Sequence, residues 1–245
     1  MAGIDSYTKL LLHCDGTDGS QIFSDSATGK TVTAVGNAQI DTAQYKFGGA
    51  SALFDGTGDY LTLADSDDWY FGTGAFTIDF WVRFATVSVQ GLIHHITDTS
   101  HYWMMAIDGS NLIFTKYDNG SETINIANAW TPSINTWYHV AFVRTGNNFM
   151  MFIDGTQIGS TQSSTYAVNN YSGLLRIGIH TTGAHYINGW LDEVRISKGI
   201  ARWTANFTPP TRAYSNPFGI LNWFFFKDSW EKHDKLWKPQ LGYVI

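Results

Sequence analysis

The stretch GWLDEVRISKGIARW, residues 189–203, sets two acids side by side in what reads as a β-strand. Strand side chains alternate between faces, so Trp190, Asp192, Val194 and Ile196 share one side, and Leu191, Glu193 and Arg195 share the other. Asp192 thereby falls on the more apolar face, where an unpaired carboxylate is costly. A carboxylate in that position serves as a catalytic acid, as a metal ligand, as the cap of a turn or as half of an ion pair, for instance with Arg202. Glu193 and Arg195 can pair with each other or meet a ligand.

Catalysis demands partners that the chain does not supply at the required spacing. Retaining glycoside hydrolysis needs two carboxyl groups about 5–5.5 Å apart. The three glutamates, Glu122, Glu193 and Glu231, are far apart in sequence, and most aspartates sit in turns such as Asp-Gly. In FTIDFWVRF, alternation places Asp79 beside Trp81 and Arg83, which suits a salt bridge or a sugar contact. QGLIHHI offers His94 and His95, and a histidine on an alternating strand is most often a hydrogen-bonded structural residue. No Gly-x-Ser-x-Gly elbow, phosphate loop or His-Glu-x-x-His occurs. The reading is a non-catalytic protein. Oxygen-rich turns such as HCDGTDGS, with Asp15 and Asp18, suit calcium, which takes six to eight oxygen ligands.

These groups must be positioned by β-structure. Short alternating segments (KLLLHC, YLTLA, FTIDFWVRF, YWMMAID, WYHVAFVR, LLRIGIH) are broken by Gly, Asp, Asn, Ser and Thr, a pattern that means a sandwich or barrel. Asp-Gly in IDGSNLIF and FIDGTQIG, and Asn-Gly in KYDNGSET, mark hairpins. The expected fold is all-β, a two-sheet antiparallel jelly roll. The 245 residues suit one large all-β domain or two small ones, with 44% hydrophobic content to fill a core. A net charge of -6 with scattered bases argues against nucleic acid as a partner. Cys14 is the only cysteine, so no internal disulfide can form and cysteine-based zinc sites are excluded. The start MAGIDSYTK lacks the pattern of a signal peptide, and no apolar stretch reaches the length of a membrane span. The expectation is a soluble protein, one route to the outside being release within a virus particle.

SALFDGTGDYLTL, FTIDFWVRF, TWYHVAFVR, MFIDG and GWLDEVRISKGIARW, in this order and spacing, resemble the concanavalin A-like, laminin-G-like jelly rolls over residues 7–212. TKLLLHCDGTDGS at the start and FTPPTRAY at the end resemble modules common in bacteriophage and marine microbial proteins. The resemblance implies two curved sheets, one concave and open, with ligands on the concave face or the loop rim. It also implies a structural calcium on the acid that opens the strand DEVRIS. Carried over, that nominates Asp192, with Asp15 and Gly49 contributing carboxylate or backbone oxygen. The Glu-x-Asp-x-x-Glu pattern of related laminarinases is missing, as are the Arg-rich and Tyr-x-Lys strands of jelly-roll lyases. The fold serves lectins, hydrolases, lyases and adhesion modules alike and does not fix a ligand.

Sugar recognition combines an aromatic platform with polar groups for the hydroxyls. TDTSHYWMMAIDG supplies Trp103 and Asp108; VNNYSGLLRIGIHTTGAHYINGW supplies Tyr171, Arg176, His180, His185 and Tyr186. These seven are the candidate ligand contacts, the loop positions Tyr171, His185 and Tyr186 ahead of strand positions. Pro209, Pro210 and Pro217 close the strand pattern, dividing the chain into a jelly roll over 1–212 and an aromatic tail over 213–245. In the tail, Trp223, Phe226 and Trp230 permit one helical face, and with Trp237, next to Leu236 in DKLWKP, they form a candidate docking surface for virion proteins or a second copy. The functional expectation is a glycan-binding or adhesion module displayed on a phage particle, with host-surface or environmental polysaccharide as partner. The alternatives are a structural virion decoration protein anchored by its tail and, third, a polysaccharide-degrading enzyme.

Overall fold

The computed structural model describes residues 3–215. Among them run fifteen strands: β1 (Thr8–Leu12), β2 (Thr33–Val35), β3 (Gln39–Asp41), β4 (Ser51–Asp55), β5 (Tyr60–Leu63), β6 (Phe76–Phe84), β7 (Gln90–Asp98), β8 (His101–Asp108), β9 (Asn111–Asp118), β10 (Ser121–Ala129), β11 (Trp137–Thr145), β12 (Asn148–Ile153), β13 (Thr156–Ser163), β14 (Leu175–Ile177) and β15 (Asn188–Lys198). A short 3-10 turn, Asp67–Trp69, accompanies them. No helix of the described residues is long and apolar enough to cross a membrane. The tail positions Trp223, Phe226, Trp230 and Trp237 lie outside the described residues.

The strands form two antiparallel sheets. One has eight strands in the order β13-β12-β11-β6-β15-β4-β3, with β1 paired to β15; the other has seven in the order β10-β9-β8-β7-β14-β5-β2. The expected sandwich is thus observed, and its hairpins fall where the turn residues put them. Asn119-Gly120 joins β9 to β10 and Asp154-Gly155 joins β12 to β13, all four with positive φ, as a tight turn matching strand twist requires. Alternation then fills the space between the sheets. Phe76, Ile78, Phe80, Val82 and Phe84 of β6 point inward to meet Trp103, Met105 and Ile107 of β8 and Phe114 of β9. Phe114 and Phe142 stack with ring centroids 4.2 Å apart across the two layers.

The outer face of the eight-stranded sheet is not left to solvent. Residues 199–207 fold back so that Ala201, Trp203 and Phe207 cover Ala141, Val143, Met150 and Phe152. Ile4 and Tyr214 cover Leu11, so sandwich packing extends to Tyr214, past residue 212. The GWLDEVRIS strand lies in the middle of this sheet as β15. A bulge between Asp192 and Arg195 interrupts its pairing with β6, and Glu193 has a φ of 52°. A bulge adds one residue and resets the alternation. Asp192 and Arg195, expected on opposite faces, therefore share the outer one: Asp192 pairs in register with Trp81, and Arg195 with Asp79.

Candidate functional site

The seven-stranded sheet presents a more open outer face. Register carries one row of side chains across it: Thr33, Thr62, Arg176, His94, Met104, Thr115 and Asn125. The loop 178–187 lies over the middle of this row. Gly91 allows the close approach, since a Cβ there would sit 2.2 Å from the backbone nitrogen of His180. His94, fully buried, hydrogen-bonds through Nδ1 to the Ile179 carbonyl at 2.9 Å. Burial pulls the His94 pKa down to about 3, so the ring is neutral.

On the β8–β10 side of the loop lies a groove of about 280 Å³. Tyr102 and Tyr117 form its aromatic wall, their rings stacked at 4.9 Å and 14°. Tyr102 is nearly buried, and its burial raises the phenol to about 12. Tyr117 keeps part of its ring exposed. Asp108, Asn111, Thr115, Glu122, Asn125 and His180 supply the polar lining. The Glu122 carboxylate accepts hydrogen bonds from Thr115 Oγ1 at 2.7 Å and from Asn125 Nδ2 at 3.0 Å. Burial, reinforced by neighbouring His185, lowers the His180 pKa, leaving Asp108 and Glu122 to set a negative potential in the groove. A stacked aromatic wall with flanking carboxylates and amides can hold a sugar ring by its C–H face and accept from its hydroxyls. A second groove, between the edges β10 and β13, offers Tyr166 alone as an aromatic.

Arg176, Tyr186 and His185 gather on and beside the same loop. Tyr186 stacks on Tyr60 of β5 at 6.3 Å, the Arg176 guanidinium lies 6.0 Å from the Tyr60 ring, and His185 packs edge-on to His180 at 5.8 Å. The structure thus brings five of the seven candidate contacts, Asp108, Arg176, His180, His185 and Tyr186, to one sheet face. The other two are corrected. Trp103 alternates inward and has no exposed surface, so it is a core residue. Tyr171 is also buried, its hydroxyl donating to the Tyr117 carbonyl and to Asp118 Oδ1. That placement buttresses the groove from behind. Sequence reading passed over Tyr117, Thr115 and Asn125 and weighed Glu122 only as a catalytic carboxylate; the signal was there in the Asn-Gly hairpin, which pairs β9 with β10 and aligns Thr115 with Asn125.

The acids of the opening stretch belong to the covered face. Arg195 clasps Asp79 with two hydrogen bonds, 3.0 and 3.1 Å, and reaches Tyr214 Oη at 3.0 Å. Burial alone would raise Asp79, but Arg195 and His139 outweigh it and hold the carboxyl at about 2. Glu193 does not pair with Arg195: the bulge turns it to His13 Nδ1 at 2.7 Å and to the Tyr214 backbone N–H at 2.8 Å. Arg202 pairs with Asp5, not with Asp192.

Asp192 Oδ2 accepts the backbone N–H groups of Lys46 and Phe47, both at 2.9 Å, while its Oδ1 is buried without a hydrogen-bond partner. Burial raises its pKa to about 7, and the nearby charges of Glu193 and Asp15 add to the rise. Gly48 packs against the Asp15 carboxylate with a φ of 63°, and Gly49 follows with a φ of 101°. A buried, partnerless carboxylate oxygen facing like charges fits a cation. The donor set is short, however: among the described residues no group of three or more His, Cys, Asp and Glu side chains is arranged to hold a metal. The remaining ligands would be backbone carbonyls, which suits calcium better than a transition metal.

The family model Laminin_G_3, described as the concanavalin A-like lectin/glucanases superfamily, matches residues 55–202. No curated protein matches the chain. Among solved structures, the binding domain of Paraclostridial Mosquitocidal Protein 1 superposes with a TM-score of 0.61 at 16% identity, over 89% of this chain and 52% of that one. The botulinum neurotoxin serotype G binding domain gives 0.60 at 16% identity, over 90% and 51%. A botulinum neurotoxin type C structure, whose description has cell entry depend on two ganglioside molecules, gives 0.57 at 16% identity, over 91% and 52%. The chain therefore spans about half the length of the solved chains that it matches. With the two-sheet topology and the family match over more than half of its length, the chain belongs to the concanavalin A-like lectin/glucanases superfamily.

Proposed function

We propose that this protein is a non-catalytic glycan-binding module that holds sugar in the groove of β8, β9 and β10. The observation that carries this reading is the stacked Tyr102–Tyr117 wall set among Asp108, Asn111, Glu122 and Asn125. It is an apolar surface with hydrogen-bond acceptors and donors at its rim, the composition of a small-ligand site. The binding-domain descriptions of the structural neighbours, one of them naming gangliosides, agree with it at the level of fold. The test is a glycan array followed by calorimetry. Binding is expected, with Tyr117→Ala and Asp108→Ala each weakening it roughly tenfold, the scale of one aromatic contact or one charge-assisted hydrogen bond. No binding to any glycan, or product release in a reducing-end assay, overturns the reading.

Asp192, with the Asp15 carboxylate and the Gly49 carbonyl, would hold a calcium ion that ties the N-terminal segment and the 46–50 loop to β15. Its support is the partnerless Oδ1 and the like charges around it. Chelation is expected to lower the melting temperature of the wild type and leave Asp192→Asn unmoved. An equal response from both proteins ends the idea.

Display on a virus particle, with 213–245 as the anchor, is the wider setting and rests on the likeness of the end segments to phage modules. A chain cut after Ser215 keeps Tyr214 in its network. It should fold and bind glycan yet fail to co-sediment with particles.

A further inference from the structure

Arg176 differs from Arg144, Arg195 and Arg202 in having no polar partner, and from half-buried Arg83, which stacks on Trp190 at 4.7 Å, in having a buried, unbonded Nε. Arg195 is clasped by Asp79, Arg202 by Asp5, and Arg144 donates to the carbonyls of Gly146 and Gly72. Arg176 has a buried Nε with no hydrogen-bond partner, and no carboxylate of the described residues lies within ion-pairing distance. Its neighbours across the ladder are Thr62 and His94, and burial keeps His94 neutral. The guanidinium lies over the Tyr60 ring at 6.0 Å, Tyr60 stacks in turn on Tyr186, and the residue is half-buried. A guanidinium that has lost part of its hydration, and gained no counter-charge, is a ready donor to an oxyanion.

We propose that Arg176, beside Tyr60 and Tyr186, receives the carboxylate or sulfate of an acidic sugar, so that the face prefers acidic glycans to neutral ones. This deepens the glycan-binding reading and rests on it. The groove, with Asp108 and Glu122, suits neutral, hydroxyl-rich rings; the anion is admitted only on the β14–β5 side of the loop 178–187. The planar fork favours two parallel hydrogen bonds to one anionic group, a match that a lysine cannot reproduce.

The experiment titrates the full chain with three trisaccharides of one linkage: neutral, bearing a uronic carboxylate, and bearing a sulfate ester. Both acidic forms are expected to bind at least roughly tenfold tighter than the neutral one, the scale of a charge-assisted pair, with the advantage shrinking as salt rises. Preference for only one acidic form assigns the anion class. Arg176→Gln should erase the advantage and leave neutral binding intact; Arg176→Lys should keep part of it. Equal binding of neutral and acidic forms overturns the proposal and leaves the groove reading standing. So does an advantage that survives in Arg176→Gln. If no trisaccharide binds, titration with glucuronate alone decides, read at the Arg176 Nε–H by NMR. Movement in the wild type upholds the anion site while the groove reading fails; no movement ends both.

Discussion

On the eight-stranded sheet, Asp79, Arg195, His139 and Asp192 lie beneath a second layer of chain; on the seven-stranded sheet, Tyr117, Asp108 and Arg176 keep surface in solvent. Both outer faces carry charges and aromatics, so composition alone does not tell them apart. What differs is how the ionic groups are paired. The covered face pairs most of its charges internally, Arg195 with Asp79, Glu193 with His13 and Tyr214, and Arg202 with Asp5, and leaves Asp192 Oδ1 as the buried exception. The open face leaves Arg176 unpaired and orders its groove with neutral donors on Glu122. Paired groups under cover serve stability, whereas a half-exposed group with bonding capacity left over is available to a ligand.

The largest break in this contrast comes from the covered face. Arg195→Met strands Asp79 in the interior, and removing one partner of a buried pair costs about 3–5 kcal/mol. Denaturant unfolding should show that loss while glycan affinity of the folded fraction stays unchanged. A comparable loss of affinity would show that the two faces are coupled. The same pair should shape acid unfolding. Asp79 is held at about 2, below the ordinary 3.8; its stabilisation is present above about pH 4 and is lost as pH falls through about 2. By linkage that is roughly 2 kcal/mol, and Asp79→Asn should flatten the limb. Smaller again is Gly91→Ala. Its Cβ would meet the backbone of Ile179 and His180, so the loop 178–187 must shift, at about 1–3 kcal/mol. Because that loop carries His180 and Tyr186, this variant should weaken binding as well as stability, unlike Arg195→Met.

Much of the fold was legible because turn chemistry and alternation are local. Asn119-Gly120 and Asp154-Gly155 announced their hairpins, and the inward row of β6 follows from period two. The site was legible in part. LLRIGIHTTGAHY drew notice for its density of bonding groups, and four of its candidates meet on one face. Trp103 misled because a tryptophan next to polar residues looks like a platform, while its parity on β8 sends it inward. The pairing of Asp79 with Arg195 was hidden by the bulge at Glu193, since one inserted residue inverts every face assignment after it. Tyr117 was missed because its value lies in stacking on Tyr102, a neighbour fifteen residues away that only strand pairing brings into contact.

Tyr117→Ala should move stability least and so separate the faces most sharply. The Tyr102–Tyr117 stack is partly exposed, and such a pair is worth about 0.5–1.5 kcal/mol beyond its buried area. The Tyr171 hydroxyl bonds the Tyr117 backbone carbonyl, which alanine retains, and Thr115 and Asn125 still hold Glu122. The ladder and the polar rim therefore survive the truncation, and what is lost is the ring. If the groove is a sugar site, affinity should fall roughly tenfold with only a small change in melting temperature. If Tyr117 is a core residue like Trp103, stability should fall by the several kcal/mol typical of aromatic-to-alanine truncation, with binding following only because the fold is lost. The ratio of the two losses, measured on one variant by calorimetry and thermal unfolding, assigns this face to function or to packing.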